Sequence, residues 1–137
     1  MPFRIDEQPR SDSPPPAGPL DASQIAGSWA NTDRGSSGGT LRLVVTERDG
    51  ELLVRGFGAG DPEPRDWGET AATPMAQTVA GESAWAFNCS FEFGFMTTEI
   101  AAYGKEGILI AASFNRFDDD SGRADYWTRE FFHRERR

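Results

Sequence analysis

Few side chains in this chain combine a reactive type with a suitable setting. The candidates are Glu92 and Glu99, the only histidine, His133, the only cysteine, Cys89, and the acidic run Asp118-Asp119-Asp120-Ser121-Gly122. A carboxylate held in an apolar interior has a raised pKa suited to proton transfer, which makes Glu92 and Glu99 the candidate acid and base. By simple alternation Glu92 points away from the aromatic side chains around it, and a bulge at Gly94 would change the phase for Glu99. His133 supplies the imidazole of a hydrolytic triad, yet no serine sits in a Gly-x-Ser-x-Gly elbow. One histidine also excludes a histidine-based metal cluster. The acidic run lacks calcium-loop spacing. Counting from Asp118, the sixth residue is Arg123 rather than glycine and the twelfth is Arg129 rather than glutamate. Arg34–Gly39 is glycine-rich but lacks the lysine and following helix of a phosphate loop. Cys89 lies among aromatics and reads as a small buried hydrophobe. Arg55 and Arg116 are single charges for solvent or cross-strand pairing. No metal and no cofactor is expected.

The elements that must position these groups are read from periodicity. Ala84–Met96 alternates Trp85, Phe87, Cys89, Phe91, Phe93 and Phe95 against Ala86, Asn88, Ser90, Glu92 and Gly94, the signature of a half-buried strand. At about 25 cal/mol per Å², the aromatic face must meet a core, a ligand or both. Leu20–Ile25 predicts a short helical turn, with Asp21 as N-cap and Gln24 in capping-box register. Thr40–Arg48 and Glu51–Gly58 read as strands joined by Asp49-Gly50, the strongest hairpin signal in the chain. Pro62 and Pro64 make a loop. Arg65–Thr73 is a weak strand around Trp67, ended by Pro74, and Met75–Ser83 is a connection. Thr97–Tyr103 turns at Gly104–Gly107 into Ile108–Phe117, and Asp125–Arg134 is the last strand. The last strand alternates Trp127, Arg129, Phe131 and His133 against Tyr126, Thr128, Glu130 and Phe132. Seven or eight short strands in sequential hairpins predict an all-β, antiparallel up-and-down barrel.

The 137 residues suit one barrel domain, 20–137, preceded by a proline-rich extension, Met1–Pro19, expected to be disordered or to act as a lid. No window approaches the roughly 18 apolar residues of a membrane helix, and the N-terminus has no apolar signal-peptide core. A single cysteine excludes an internal disulfide and suits a reducing compartment, so a cytoplasmic location is expected. The net charge of −8 weighs against nucleic acid as a partner.

Gly27-Ser28-Trp29, just after the short turn, resembles the opening of the calycin barrels (lipocalins, avidins and fatty-acid-binding proteins), and Gly27–Asn31 is also similar to the avidin opening. In lipocalins an arginine of the last strand packs across that tryptophan, which implies Arg129 or Arg134 in that role here. The avidin ligand positions have no match, so biotin is not implied. From Ile25 to Arg134 the chain also resembles a widespread bacterial family of small domains without an established activity. The matching phrases are Trp29–Asn31, Asp66-Trp67-Gly68-Glu69, Phe114-Asn115-Arg116-Phe117 and Asp120-Ser121-Gly122-Arg123. Relatives in that family often carry two cysteines at the positions of Gly60 and Arg65.

A small barrel holds one small ligand in its mouth. The expected function is therefore binding of a small, largely apolar molecule, with Trp67, Trp85, Phe87, Phe91, Phe93, Phe114 and Trp127 as the aromatic wall. A cyclase or isomerase of bacterial specialised metabolism, acting by positioning, is a variant of that reading. The alternative is a carbohydrate- or protein-binding module without catalysis, or a packed barrel that serves as an assembly subunit. No membrane partner is expected, and a homodimer is admitted.

Overall fold

The computed structural model describes residues 19–33, 39–60 and 63–135. The expected extension Met1–Pro19 lies outside these residues except for Pro19. So do Arg34–Gly38 of the glycine-rich loop, Asp61 and Pro62 of the proline loop, and the terminal Arg136 and Arg137.

Eight strands follow one another around a closed antiparallel barrel: β1 (Gly27–Asn31), β2 (Thr40–Arg48), β3 (Glu51–Gly58), β4 (Arg65–Met75), β5 (Ala86–Glu92), β6 (Met96–Lys105), β7 (Ile108–Phe117) and β8 (Tyr126–Arg134). Two turns set the register locally. Asp49-Gly50 and Glu106-Gly107 both adopt left-handed backbone, with φ of 55° and 78° in the first and 52° and 82° in the second. Two consecutive positive φ values define the type I′ turn, whose twist matches that of the flanking strands. Closure is the long-range event: β1 pairs with β8 through Trp29–Arg134, Ala30–His133 and Asn31–Phe132. It leaves neither β1 nor β8 as an edge strand open to pair with another chain.

The core is built from the inward residues of every strand, with Trp29, Leu43, Val54, Phe87, Ile100, Leu109 and Phe132 the largest of its fully buried side chains, joined by Ile25 from the segment ahead of β1. At one end, the segment before β1 forms the expected turn, in which Ala26 and Ile25 donate to the Ala22 carbonyl and Ser23 N–H donates to the Asp21 carboxylate. This turn plugs the barrel. Trp29 Nε1–H donates to the Ile25 carbonyl at 2.9 Å, and the Arg134 guanidinium lies 4.4 Å from the Trp29 ring centre. Arg134 also donates to the carbonyls of Ser23, Gln24 and Ala26, satisfying acceptors that a single helical turn leaves free. Of the two arginines expected here, Arg134 fills the role; Arg129 lies outside, over Phe131.

Two expectations are corrected. Ala84–Met96 is not one strand: β5 ends at Glu92, and the chain reverses through Gly94, whose φ is 86°, while Phe93 N–H donates to the Met96 carbonyl. Gly94 is thus the hairpin turn rather than a bulge, and Phe95 stands exposed on it. Pro74 does not end β4, which runs on to Met75 with Pro74 opposite Phe87. The missing proline N–H is tolerated because β4 and β5 pair over only three residue pairs, Thr73–Asn88 to Met75–Ala86.

Candidate functional site

The short β4–β5 ladder is where the barrel wall parts. On its other side β4 pairs with β3 through seven residue pairs, and β5 pairs with β6 through seven, so both strands are held but diverge from one another toward the open end. Between them lies a cleft of about 390 Å³ lined by Trp67, Glu69, Thr70, Ser90, Phe91 and Glu92.

Trp67 enters this cleft through a defect in the β3–β4 ladder. Gly56 pairs with Gly68 and Phe57 with Asp66, leaving Trp67 as the extra residue of a bulge beside Gly68, whose φ is 85°. The bulge turns the indole onto the barrel interior. Two glycines make the space: a Cβ on Gly56 would run into the Trp67 ring, and one on Gly58 would come within 2.7 Å of its Nε1. The indole meets Phe91 and Phe93 edge-on, each at 5.4 Å between ring centres, the favoured geometry for aromatic pairs. Asp66 anchors the bulge, accepting from Gly68 N–H at 2.9 Å and from Arg55 at 2.7 Å.

Four strands away around the barrel the lining is polar. Glu130 on β8 accepts from Asn31 Nδ2 at 2.5 Å and, at 3.4 Å each, from Thr40 N–H and Thr128 Oγ1. Asn31 also donates to the Thr40 carbonyl, tying β1, β2 and β8 together. Beside it, Thr98 Oγ1 donates to Asn115 Oδ1 and Asn115 Nδ2 donates to the Tyr126 carbonyl. The open half of the barrel therefore sets aromatic rings on β4 and β5 against hydroxyls, amides and one carboxylate on β1, β2 and β6–β8.

The expected site residues divide into three groups. Trp67, Phe91 and Phe93 come together as a cluster, of which Trp67 and Phe91 line the cleft. Phe87 is fully buried lower in the core, opposite Pro74 and Ala102, and Trp85 sits at the plugged end beside Gln24, Trp29 and Arg134. Phe114 and Trp127 are a correction: they pair with each other on the outer face of β7 and β8 and are exposed. Their strands are apolar on both faces, so alternation alone does not choose the inward one.

Glu92 points outward, as alternation has it, and Glu99 is corrected as an interior carboxylate. Both are exposed on the outer face, Glu92 at the cleft rim and Glu99 at 3.8 Å from Arg116. The carboxylate that does point inward is Glu130, which the search for reactive side chains passes over. The resemblance leaves its phase open: Arg134 against Trp29 puts Phe132, Glu130 and Thr128 on the inner side, whereas Arg129 there would put Trp127 and Phe131 inside. Three donors hold Glu130 in place, which suits a fixed acceptor.

Cys89 faces inward between Phe87 and Phe91, and burial pushes its thiol up to about 12 from the ordinary 9.0. Its effect on folding is absent below pH 9, where the thiol is protonated in both states. As pH rises from 9 through 12, the unfolded thiol ionises and the folded one does not, and stability is lost at about 1.4 kcal/mol per pH unit, roughly 4 kcal/mol over the window. Comparing wild type with Cys89→Ala by urea unfolding from neutral to alkaline pH should show this steeper loss only in wild type. An identical pH dependence in the two proteins would contradict the burial of the thiol.

A second concavity, of about 590 Å³, lies outside β1–β3 and is lined by Ala30, Leu41, Arg42, Phe57, Pro64 and Glu135 among others. Two of the charged residues in its lining are engaged with each other. Arg42 lies 2.6 Å from Glu135 and covers the Phe57 ring. Burial pushes the Glu135 carboxyl up, but the Ser28 hydroxyl and the Arg42 guanidinium outweigh it and hold the group below its usual range.

Among the described residues no helix is long and apolar enough to cross a membrane, and no group of three histidine, cysteine or acidic side chains converges as metal ligands. Comparison with known proteins found no matching family model, no matching curated protein and no matching solved structure.

Proposed function

We propose that this chain is a small-molecule-binding barrel of calycin type that takes a largely apolar ligand at the split between β4 and β5. The observation that carries the reading is the Trp67–Phe91–Phe93 cluster opening on a cleft of about 390 Å³. Protein interiors close over apolar rings unless something else covers them. Here two glycines and a bulge hold an indole at a gap in the wall, at a cost in local ladder pairing. A ligand entering there lays its apolar part on the rings, while its polar end has the hydroxyls of Thr70 and Ser90 and the carboxylates of Glu69 and Glu92 within the same lining.

The calycin-type assignment draws support from the Trp29–Arg134 clasp at the plugged end. Binding without turnover is favoured over a cyclase or isomerase, because Glu92 and Glu99 stand outside and Glu130 is tied to three donors. The buried lone thiol suits a reducing compartment.

The test is titration with the neutral fluorescent dye Nile red, alongside native mass spectrometry of the purified protein for a retained ligand. Saturable binding of one dye per chain is expected, weakened about tenfold in Trp67→Ala through loss of one aromatic contact. Affinity unchanged in Trp67→Ala would remove the site from the cleft.

A further inference from the structure

The outside of the barrel is not uniformly polar. On β6–β8 the outward residues form cross-strand rows: Tyr103–Ile110–Phe131, then Ala101–Ala112–Arg129, then Glu99–Phe114–Trp127. Trp127 is 64% exposed, Phe114 51%, Tyr103 47% and Phe131 40%. Most of the other strands carry charged or small residues outward, so this concentration of rings on three neighbouring strands is specific to one face.

We propose that this face docks a second copy of the chain, forming a two-fold homodimer. Three observations select that occupant. The first is area. Taking a ring side chain as roughly 200 Å², the exposed parts of the four rings amount to about 400 Å², and Ile108, Ile110 and the alanines bring the apolar face to about 500 Å². A stable homodimer buries roughly 800 Å² per partner, about two-thirds of it apolar, which this face supplies with its rim.

The second is relief. Successive rows on one face of a sheet lie about 6.7 Å apart, so the two aromatic rows are ridges separated by a trough at Ala101 and Ala112. A two-fold axis lying across the strands, between the trough and the Phe114 ridge, sets each copy's ridge into the other's trough. Phe114 then meets the partner's Ala112, and Trp127 meets the partner's Arg129. That contact is reciprocal, as a two-fold interface requires, and the indole–guanidinium pair is a favourable cation–π arrangement. Arg129 is exposed and lies over its own Phe131 ring, at 5.5 Å.

The third is topology. Away from the β4–β5 split the closed barrel has no edge to offer for strand addition, and β6, β7 and β8 are paired on both sides, so association through this face must use its side chains. Rings interleaved with Arg116 and Arg129 also suit a single-stranded nucleic acid, but the chain's net charge of −8 opposes a polyanion.

Sedimentation of the full chain over a micromolar concentration series tests the proposal. Wild type should sediment at twice the chain mass. Trp127→Arg, which would set a second cation against the partner's Arg129, should raise the dissociation constant at least about a hundredfold while leaving the circular dichroism spectrum unchanged. Val79→Glu, at an exposed apolar position away from this face, should remain dimeric. A wild type that stays monomeric throughout overturns the proposal, as does a dimer that survives Trp127→Arg. A monomer that binds a single-stranded oligonucleotide and loses it in Trp127→Ala would assign the face to nucleic acid instead.

Discussion

Trp29→Ala is expected to cost about 4–5 kcal/mol, the upper end for a buried aromatic and a large part of the 5–15 kcal/mol that holds a typical domain. Three losses coincide. The indole is 1% exposed at the plugged end, so truncation leaves a void under the Leu20–Ala26 segment. The Ile25 carbonyl loses its indole donor. Arg134 loses the ring it covers while still having to reach the carbonyls of Ser23, Gln24 and Ala26. Urea unfolding with an unchanged slope and a much lower midpoint is the expected reading. Trp29→Phe separates the contributions: it keeps most of the apolar volume, loses the N–H, and should cost about 1–2 kcal/mol. A Trp29→Ala protein with near-wild-type stability would mean that the plug is not a determinant of the fold.

Phe91→Ala is expected to cost about 3 kcal/mol and to weaken Nile red binding in the same protein. The ring is 4% exposed, stands edge-on to Trp67 and reaches under Gly56, where a Cβ would approach it to 3.2 Å. Its other border is the β4–β5 cleft, so the void opens partly to solvent and the loss falls at the low end of the 3–5 kcal/mol range for phenylalanine. The two readouts have different meanings. A stability loss with intact dye binding would make Phe91 purely a core residue, and a binding loss without destabilisation would make it purely a cleft wall. Wild-type behaviour in both would refute the placement of the ring.

Much of the fold was legible from local chemistry. Asp49-Gly50 and the Gly104–Gly107 stretch carry residues that tolerate positive φ, and both hairpins form there with two-residue loops. The strands at Thr40–Arg48, Glu51–Gly58 and Ile108–Phe117 coincide with the stretches read as strands between the turn signals. Phe91 and Phe93 were recognisable as rings that pack on the interior because rings of that size must be covered. Turn type and alternation depend on neighbours within a few residues, and a single chain displays them.

What the tertiary structure alone decided is which side of each strand faces inward and where the ladders break. Ile108–Phe117 and Tyr126–Arg134 carry apolar residues on both faces, so only closure against β1 sends Phe132 inward and Trp127 outward. The same closure brings Glu130 into the interior and leaves Glu92 and Glu99 outside. Trp67 reaches the interior because β4 carries one more residue than β3 at that point, a mismatch visible only once the two strands are paired. The split beside β5 likewise needs both neighbouring ladders to pull the strands apart. Alternation is a property of one strand, whereas phase, bulges and gaps are properties of a pair. Pairs form between residues far apart in the chain, where no local pattern records them.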